Sequence, residues 1–565
     1  MIANLNYLKN HLKDSKSQHK QLNLKKIESS FQSTSDKKFA ESKHGMVSSA
    51  FPEATKAGIE MLKRGGNAID AACATAIALG VCEPQASGLG GQSMAIVHFQ
   101  GKSICIDGST RSPSRALPYK FKSQIDSTLG YKATTVPSTV ATMGFLNEKY
   151  GKLDWAEILK PSIKIAKNGY KITKLQNELQ LRELENFRKV ESMSGGKYFL
   201  KDGETPYEPK DVFVQDDLAE LLSYLAENGY RSFYFGKIPK LIDKDMKKNK
   251  GLLREDDMVM VPKIIEREPL VGKYRNITVK TFPPPAAGRI LLLILKLLEK
   301  IPVKTIKKND LEFYHYLVET FRNSLAFRTQ RPYDIATYKQ LDDKLLNDQN
   351  FVDNLSKSII EGIKLNTNDQ VEFNDQDTTH FSAMDDEGNA VGITQSIELV
   401  YGAKAAADGL GFLYNSYMGA FEYKNINYPH YLRPNSSPWT SVAPTILFRN
   451  KKPWMSLGTP GSDRIPTVTA QFMSSIIDLE LSPNEAMNKP RIHCAVDGII
   501  SVEGERFDDK VIAYLSDLGY DLVTKEPYSY FHGAIHAVLK KQTGKGFHGI
   551  AEIRRDGIAM GLDKK

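Results

Sequence analysis

The residues best suited to chemistry lie in the segment Asp377-Thr378-Thr379-His380. A threonine hydroxyl is a weak nucleophile and needs a base beside it to remove its proton. A threonine at a chain terminus carries such a base, because its own α-amine, with a reference pKa of about 8, reaches its Oγ atom. An internal threonine gains this amine if its hydroxyl attacks the preceding carbonyl group and the resulting ester is hydrolysed. Thr378 is therefore a candidate nucleophile that becomes a chain terminus when the bond after Asp377 breaks.

A second candidate feature is the glycine-rich turn at 458–462, with the sequence Gly-Thr-Pro-Gly-Ser. Attack on an amide carbonyl creates a tetrahedral oxyanion, which enzymes commonly stabilise with backbone N–H groups on such a turn. Each of the two motifs on its own also fits an ordinary loop. The residue pattern therefore leaves a catalytic and a purely structural interpretation open.

Several common catalytic motifs are absent from the sequence, namely the GxSxG elbow, the HExxH zinc motif and the GxxxxGK[ST] phosphate loop. The sequence GLGGQS at 88–93 is interpreted as a tight glycine turn rather than a nucleotide-binding loop. The four cysteines form no CxxC pair, so neither a zinc site nor a disulfide framework is indicated. No metal and no organic cofactor is implied, because the chain can supply the nucleophile, the base and the oxyanion donors.

The elements around Thr378 must hold it rigidly and let the segment before it leave. Residues 365–377 are polar and acidic and predict a flexible, exposed loop. Two β-rich runs on either side of Gly388-Asn389 predict a hairpin, with Thr378 at the start of its first strand. Further upstream, Gly65-Gly66 are predicted to separate two helices, the second of which is capped by Asn67. The alternation of strands and helices predicts a layered α/β protein.

The length of 565 residues indicates two domains or one large intertwined unit, and 41% hydrophobic residues suffice for a sizeable core. Residues 1–44 contain nine lysines and four acidic residues, and so hold five of the nine net positive charges. This segment is interpreted as a flexible, basic extension rather than a nucleic-acid-binding arm, because aromatic residues are sparse in it. It lacks the apolar stretch of a secretory signal, and no apolar run elsewhere is long enough to span a membrane. We therefore expect a cytoplasmic protein without a nucleic-acid or membrane partner.

Beyond the extension, from about residue 45 to residue 562, the sequence resembles the γ-glutamyltransferase family, also called γ-glutamyltranspeptidases. The matching stretches are GGNAIDAACATAIAL (65–79), EPQASGLGG (83–91), TVPSTVATMGFLNEKYGKL (135–153), FPPPAAG (282–288), TTHFSAMDDEGNAV (378–391), SVAPTILF (441–448), GTPGSDRIPT (458–467) and KPRIH (489–493). The matches are long, specific and in the same order along the chain. The resemblance implies a four-layer αββα sandwich of the N-terminal nucleophile hydrolase type, formed by two intertwined segments.

The resemblance also implies a precursor that cleaves itself into two subunits. The large-subunit segment would be 45–377, and the small-subunit segment would be 378–565; further assembly into a homo-oligomer stays open. By resemblance, Thr378 is the nucleophile, Ser396 steadies it, and the amides of Gly461 and Ser462 form the oxyanion hole. Ser462 stands where the family has a glycine, but a backbone N–H survives that change.

The substrate-binding positions match the family only in part. Thr440 and Ser441 match a serine pair that holds the α-carboxylate of the substrate. Ser109 stands where the family has a carboxylate-binding arginine, and Arg111, two positions further on, is the candidate replacement. Glu398 occupies the place of an asparagine near the α-ammonium group, where a carboxylate would keep a contact with a cation.

Two further positions near the α-ammonium group have lost their polar or acidic residues. Tyr417 and Ala420 stand where the family has a polar or acidic residue and an aspartate. Removing a buried partner of a charged group costs on the order of 2–5 kcal/mol of binding. A γ-glutamyl substrate would therefore lose its main counter-charge.

Together these features predict a self-processed threonine amidohydrolase or acyltransferase that acts on a small-molecule amide through an acyl-enzyme. The default acyl donor is a γ-glutamyl amide such as glutathione. The alternative is a small acyl amide without an α-ammonium group, as in relatives that resemble cephalosporin acylases. A catalytically silent scaffold is a third hypothesis, which the joint presence of Thr378, His380 and the glycine turn disfavours.

Overall fold

The structure is a computed structural model, and it describes residues 38–259, 264–308, 311–328, 344–361, 376–541 and 545–563. The strands, in chain order, are β1 Phe39–Ser42, β2 Gly45–Ser49, β3 Gln92–Phe99, β4 Lys102–Gly108, β5 Tyr170–Lys171, β6 Val212–Phe213, β7 Ile265–Arg267, β8 Leu270–Tyr274, β9 Ile277–Thr281, β10 Gln376–Asp385, β11 Ala390–Leu399, β12 Thr445–Arg449, β13 Lys452–Gly458, β14 Ile492–Cys494, β15 Ile500–Glu503, β16 Leu522–Lys525, β17 His536–Lys540, β18 Phe547–Ile550 and β19 Ile558–Leu562. The α-helices are α1 Pro52–Lys63, α2 Ala68–Cys82, α3 Gln124–Thr128, α4 Thr139–Tyr150, α5 Trp155–Asn168, α6 Lys174–Arg188, α7 Ser194–Phe199, α8 Asp216–Asn228, α9 Lys237–Lys248, α10 Glu255–Val259, α11 Gly288–Glu299, α12 Val303–Lys308, α13 Leu311–Leu325, α14 Lys344–Asn347, α15 Gln349–Ile360, α16 Arg464–Ile477, α17 Pro483–Asn488 and α18 Asp509–Asp517.

Two seven-stranded sheets lie at the centre of the protein. The first sheet has the strand order β1-β18-β17-β13-β12-β9-β8, and the second has the order β19-β2-β10-β11-β3-β4-β7. Neighbouring strands within each of these sheets run antiparallel. Apolar side chains from both sheets, among them Met46, Ile96, Ile446 and Phe448, form a buried cluster between them. The two sheets therefore pack face to face.

Helices cover the outer face of each sheet. On the second sheet, α2 packs against β10 and β11 and is itself covered by α1, α4 and α5. Every residue of α2 is buried, which is why its sequence is apolar on all sides rather than on one face. On the first sheet, α11 packs against β8 and β9, and α16 packs against β13. The predicted four-layer αββα sandwich is confirmed.

The local signals at Asn67 and at Gly388 are also confirmed. The Asn67 side chain accepts hydrogen bonds from the backbone N–H groups of Ile69 and Asp70, while the Asp70 carboxylate accepts one from the Asn67 N–H. This reciprocal pair is a capping box, and it starts α2 where the sequence predicts. Gly388 has φ of 91° in the turn between β10 and β11, a conformation that glycine adopts without strain.

Both sheets take strands from each side of Thr378. In the first sheet, β1, β8 and β9 precede this residue, and β12, β13, β17 and β18 follow it. In the second sheet, β2, β3, β4 and β7 precede it, β10 contains it, and β11 and β19 follow it. The parts of the chain before and after the bond between Asp377 and Thr378 are therefore intertwined within one unit.

The extension predicted for residues 1–44 is too long at its C-terminal end. Strand β1 pairs with β18 at the edge of the first sheet. The Lys38 ammonium group donates hydrogen bonds to the carbonyl oxygens of Arg555 at 2.6 Å and Gly557 at 2.7 Å. These contacts join residues about 500 positions apart in sequence, so composition alone does not reveal them. Residues 1–37 lie outside the described residues.

The apolar helix α11 belongs to the interior of the protein. It packs between the first sheet and helices α13 and α16, and ten of its twelve residues are buried. No helix within the described ranges has both the length and the apolar character needed to cross a bilayer.

Candidate active site

Thr378 lies in β10 and is 6% exposed. The strand begins at Gln376, so the predicted exposed loop at 365–377 is wrong for its last two residues. Asp377 is only 1% exposed, because its carboxylate forms an ion pair with Arg555 inside the protein. The remainder of the predicted loop lies outside the described residues.

The pairing of β10 with β11 is irregular at Thr378. Asp377 lies opposite Glu398 and Thr379 lies opposite Gln395, so the register shifts across Thr378 and leaves one residue of β10 facing two of β11. Such a bulge interrupts regular pairing and redirects side chains. Here it brings the side chain of Ser396 to the peptide bond that precedes Thr378.

Side chains contact both polar groups of the peptide bond between Asp377 and Thr378. The Ser396 hydroxyl donates a hydrogen bond to the Asp377 carbonyl oxygen at 2.7 Å and accepts one from the Glu398 N–H at 2.8 Å. The Thr378 N–H donates to Oδ1 of Asp377 at 2.8 Å. A donor at the carbonyl oxygen stabilises the negative charge that develops there when a nucleophile attacks the carbonyl carbon.

The glycine-rich turn after β13 leads directly into a helix and contains two residues with positive φ. Gly461 has φ of 123° and Ser462 has φ of 53°, which for serine is a strained, left-handed conformation. The N–H groups of Arg464 and Ile465 donate to the carbonyl oxygens of Gly461 and Ser462, so α16 begins directly after the turn. The N-terminus of a helix carries a partial positive charge that favours a nearby anion. The turn is therefore suited to hold an oxyanion.

Strands β10 and β13 lie on the facing surfaces of the two sheets. The Ser456 hydroxyl donates to Oγ of Ser382 at 3.3 Å across this gap. His380 precedes Ser382 by two residues in β10, and Gly458 follows Ser456 by two residues in β13. The ring of His380 lies against Gly458. The same step of two residues leads to Thr378 on one strand and into the glycine-rich turn on the other. The stacking of the sheets therefore brings the nucleophile candidate and the turn to the same end of the sandwich.

His380 is buried, and its ring nitrogens contact hydroxyl groups on β11 and β10. Its Nδ1 atom lies 2.9 Å from Oγ1 of Thr394 and its Nε2 atom lies 3.1 Å from Oγ of Ser382. Burial lowers the pKa of His380 well below its ordinary value, and the nearby His536 lowers it further. The imidazole is therefore neutral, and the hydrogen-bond partners of its two nitrogens are Thr394 and Ser382.

Ser441 lies beside the residue that follows the glycine-rich turn. Its hydroxyl donates to Oδ1 of Asp463 at 3.2 Å, and Oδ2 of Asp463 pairs with Nε of Arg328 at 3.0 Å. Its neighbour Thr440 donates its N–H to the Pro285 carbonyl oxygen at 3.5 Å. Both predicted carboxylate-binding residues are buried, and the structure brings Ser441 to the turn.

Glu398 lies at the end of β11 with φ of 81°, another strained conformation for a residue other than glycine. The chain returns to this point through Ser416, whose N–H donates to the Ile397 carbonyl oxygen at 3.1 Å and whose Oγ accepts from the Leu399 N–H at 3.2 Å. Tyr417 follows and is 1% exposed. Burial raises the pKa of Tyr417 well above its ordinary value, and the nearby Glu398 carboxylate raises it further. The phenol therefore lies beside the carboxylate that was predicted to contact a substrate ammonium group.

Ser109 and Arg111 lie just after β4. Ser109 donates both its N–H and its hydroxyl to Oδ1 of Asp107, whose Oδ2 pairs with the buried Arg267 at 3.0 Å. Arg111 forms an isolated antiparallel bridge with Val136. Arg267 was not identified from the sequence, because it lies 160 residues from Asp107. That Arg111 takes over the family's carboxylate-binding role remains a prediction.

A cluster of charged side chains behind the bond between Asp377 and Thr378 was also missed. Arg555 contacts Asp377 at 3.2 Å and lies 3.9 Å from Oε1 of Glu83. Burial raises the pKa of Glu83 to about 8, although the Arg555 guanidinium acts in the opposite direction. Asp377 precedes the candidate nucleophile, but nothing in the local sequence indicates its partners. Among the described residues, no group of three or more His, Cys, Asp or Glu side chains could hold a metal ion.

Comparisons with known proteins show which family of sequences this chain resembles. The family model for gamma-glutamyltranspeptidase matches residues 54–562. The glutathione hydrolase proenzyme of Escherichia coli (strain K12) is 31% identical over 478 residues, which cover 80% of this chain and 81% of that protein. The acylase ACY 1 proenzyme of Pseudomonas sp. (strain SE83) is 28% identical over 550 residues, which cover 94% of this chain and 95% of that protein.

The fold has a close counterpart among solved structures. The crystal structure of cephalosporin acylase from Bacillus halodurans superposes with a TM-score of 0.84, covering 95% of this chain and 99% of that chain. At 24% sequence identity this likeness shows a shared fold. The family match, in contrast, rests on the sequence itself and spans most of the chain. The chain therefore belongs to the gamma-glutamyltranspeptidase family of N-terminal nucleophile enzymes.

Proposed function

We propose that this chain is the precursor of an amidohydrolase or acyltransferase that activates itself by cleavage before Thr378. The observation that carries this proposal is the hydrogen bond of 2.7 Å from the Ser396 hydroxyl to the carbonyl oxygen of Asp377. This is the carbonyl group that the Thr378 hydroxyl must attack. The donor stands where negative charge develops during that attack.

The self-cleavage proceeds in two steps. In the first, Oγ of Thr378 bonds to the carbonyl carbon of Asp377, the C–N bond breaks, and the hydroxyl proton is transferred to the Thr378 nitrogen. In the second, water hydrolyses the resulting ester. Asp377 then ends in an α-carboxylate, and Thr378 carries its hydroxyl again together with a new α-amine.

The cleaved enzyme uses the same hydroxyl on its substrate. The α-amine of Thr378 accepts the proton from Oγ, which attacks the carbonyl carbon of the substrate amide. The amides of Gly461 and Ser462, together with the N-terminus of α16, stabilise the oxyanion. The amine product leaves with a proton, and water or a second amine then takes the acyl group from Thr378.

Cleavage can be tested on a denaturing gel with mass spectrometry of the fragments. Wild-type protein should give fragments of about 42 and about 21 kDa, in proportion to the residues before and after the cleaved bond of the 63.3 kDa chain. The smaller fragment should begin at Thr378, and Thr378→Ala should stay intact. Thr205→Ala, a change at an exposed threonine, should cleave like the wild type. An intact wild type under native conditions would contradict the proposal.

Two classes of acyl donor fit this mechanism. Relatives named glutathione hydrolase support a γ-glutamyl amide such as glutathione, as do Thr440 and Ser441. The relative named acylase supports a small acyl amide without an α-ammonium group. One observation favours the second class: the buried Tyr417 occupies the neighbourhood of Glu398, and Ala420 contributes no charge. An incoming ammonium group would have to compete with a phenol for the Glu398 carboxylate.

The two donor classes can be separated with a matched pair of chromogenic substrates. γ-Glutamyl-p-nitroanilide and glutaryl-p-nitroanilide differ only in the α-ammonium group. We expect a higher kcat/KM for the glutaryl compound. A strong preference for the γ-glutamyl compound would contradict the second class and support the first.

A further inference from the structure

The carboxylate of Asp377 contacts the bond that the proposed self-cleavage breaks. Its Oδ1 atom accepts hydrogen bonds from the Thr378 N–H at 2.8 Å and from the Arg555 guanidinium at 3.2 Å. The side chains of Asp377 and Arg555 are 1% and 2% exposed. A buried carboxylate with this arrangement fixes the nitrogen side of the scissile peptide.

Arg555 is itself held firmly in place. Its guanidinium carbon lies 3.5 Å from the centre of the Tyr530 ring, and its carbonyl oxygen accepts a hydrogen bond from Lys38 at 2.6 Å. The guanidinium is therefore a rigid anchor rather than a mobile surface charge.

We propose that Asp377 is a positioning residue for self-cleavage, whose carboxylate, anchored by Arg555, holds the N–H side of the scissile peptide while Ser396 holds its carbonyl side. This inference rests on the self-cleavage proposed above. With both sides held, the peptide plane cannot turn, and one face of the carbonyl carbon stays directed at the attacking hydroxyl. Fixing two reacting groups in this way accelerates their reaction strongly, and a misplacement of about 1 Å can cost about a hundredfold in rate.

The role of Asp377 ends when the bond is cut. Asp377 becomes the last residue of the first segment, and it is neither nucleophile, base nor oxyanion donor in the cleaved enzyme. Its removal should therefore slow maturation without slowing turnover. A side chain that only stabilised the fold would not separate these two rates, because a loosened site would impair both.

The test compares Asp377→Ala and Asp377→Asn with the wild type in the full-length chain. The half-time of cleavage is measured on gels after a pulse of expression. Turnover is measured per cleaved molecule, with whichever of the two p-nitroanilides the wild type hydrolyses. We expect Asp377→Ala to slow cleavage by about tenfold or more, while turnover per cleaved molecule stays within about twofold of the wild type. Asp377→Asn should be slowed less, because its amide oxygen can still accept the Thr378 N–H.

Glu227→Gln is the matched control, because it makes the same kind of change at an exposed carboxylate of α8, outside the cluster around Arg555. We expect it to cleave at the wild-type rate. Cleavage of both Asp377 variants at the wild-type rate would overturn the inference, as would an equal loss of cleavage and turnover. An uncut wild type would instead overturn the proposed function. If Asp377→Ala does not fold, the near-isosteric Asp377→Asn still tests the inference. Its rate of self-cleavage should fall relative to its turnover per cleaved molecule.

Discussion

Gly458 lies directly against the imidazole of His380, so closely that a Cβ atom at position 458 would come within 2.5 Å of two ring atoms. The two residues belong to different sheets. His380 follows the candidate nucleophile Thr378 by two residues, and Gly458 opens the candidate oxyanion turn. This contact therefore sets the distance between the two halves of the site.

Gly458→Ala should destabilise the protein. The ring cannot move aside easily, because both of its nitrogens contact hydroxyl groups of neighbouring strand residues. Overpacking of this kind typically costs about 1–3 kcal/mol. We expect a loss of this size in urea unfolding of the uncut Thr378→Ala protein. Gly88→Ala is the control, since its Cβ would meet nothing closer than 4.0 Å. Equal stability of the two variants would contradict the assigned contact.

Ser396→Ala should slow self-cleavage by about a hundredfold, the usual effect of removing one donor from a developing oxyanion. Ser396→Thr keeps a hydroxyl group and should retain much of the rate. The measurement is the half-time of fragment formation on a denaturing gel. Wild-type cleavage kinetics in Ser396→Ala would show that the hydrogen bond to the Asp377 carbonyl is dispensable.

Glu83 should make the stability of the uncut protein depend on pH. The pKa of Glu83 is about 8 in the folded protein, whereas the ordinary pKa of a glutamate carboxyl group, which applies to the unfolded chain, is 4.5. Between these values only the folded state keeps the proton, so the free energy of unfolding falls as the pH rises. The slope contributed by one such group is about 1.4 kcal/mol per pH unit. Below pH 4.5 and above pH 8 the contribution is constant.

Glu83→Gln removes this group and should flatten the curve over that range. The measurement is urea unfolding of Thr378→Ala with and without Glu83→Gln at several values between pH 5 and pH 8. The Thr378→Ala background keeps Asp377 in place, as in the structure. Parallel curves for the two proteins would contradict the raised pKa.

Tyr417→Phe should shift the donor preference toward γ-glutamyl substrates. The change removes the phenol hydroxyl beside Glu398 and leaves that carboxylate for a substrate ammonium group. We expect the ratio of kcat/KM for γ-glutamyl-p-nitroanilide over glutaryl-p-nitroanilide to rise by about tenfold, equivalent to about 1.4 kcal/mol. The double variant with Glu398→Gln should lose this gain. If the ratio is unchanged in Tyr417→Phe, the Tyr417 hydroxyl does not influence which acyl donor the enzyme prefers.

Much of the fold was readable from the sequence because its signals are local. Asn67 caps α2 through bonds to residues two and three positions away, and Gly388 permits the turn that joins two strands of alternating pattern. The long family-like stretches then placed these elements in an αββα sandwich. They also placed Thr378 at the start of a strand, although the strand proved to begin two residues earlier.

The surroundings of the scissile bond were decided by the tertiary structure. Arg555 reaches Asp377 across 178 residues of sequence, and Glu83 approaches the same guanidinium from the far end of α2. Ser396 meets the Asp377 carbonyl because a bulge shifts the register of β10 against β11. Capping and turn formation depend on neighbours within a few positions, whereas ion pairs and strand register depend on how distant segments pack. Thr378 could therefore be identified from the sequence, but the groups that hold the bond before it could not.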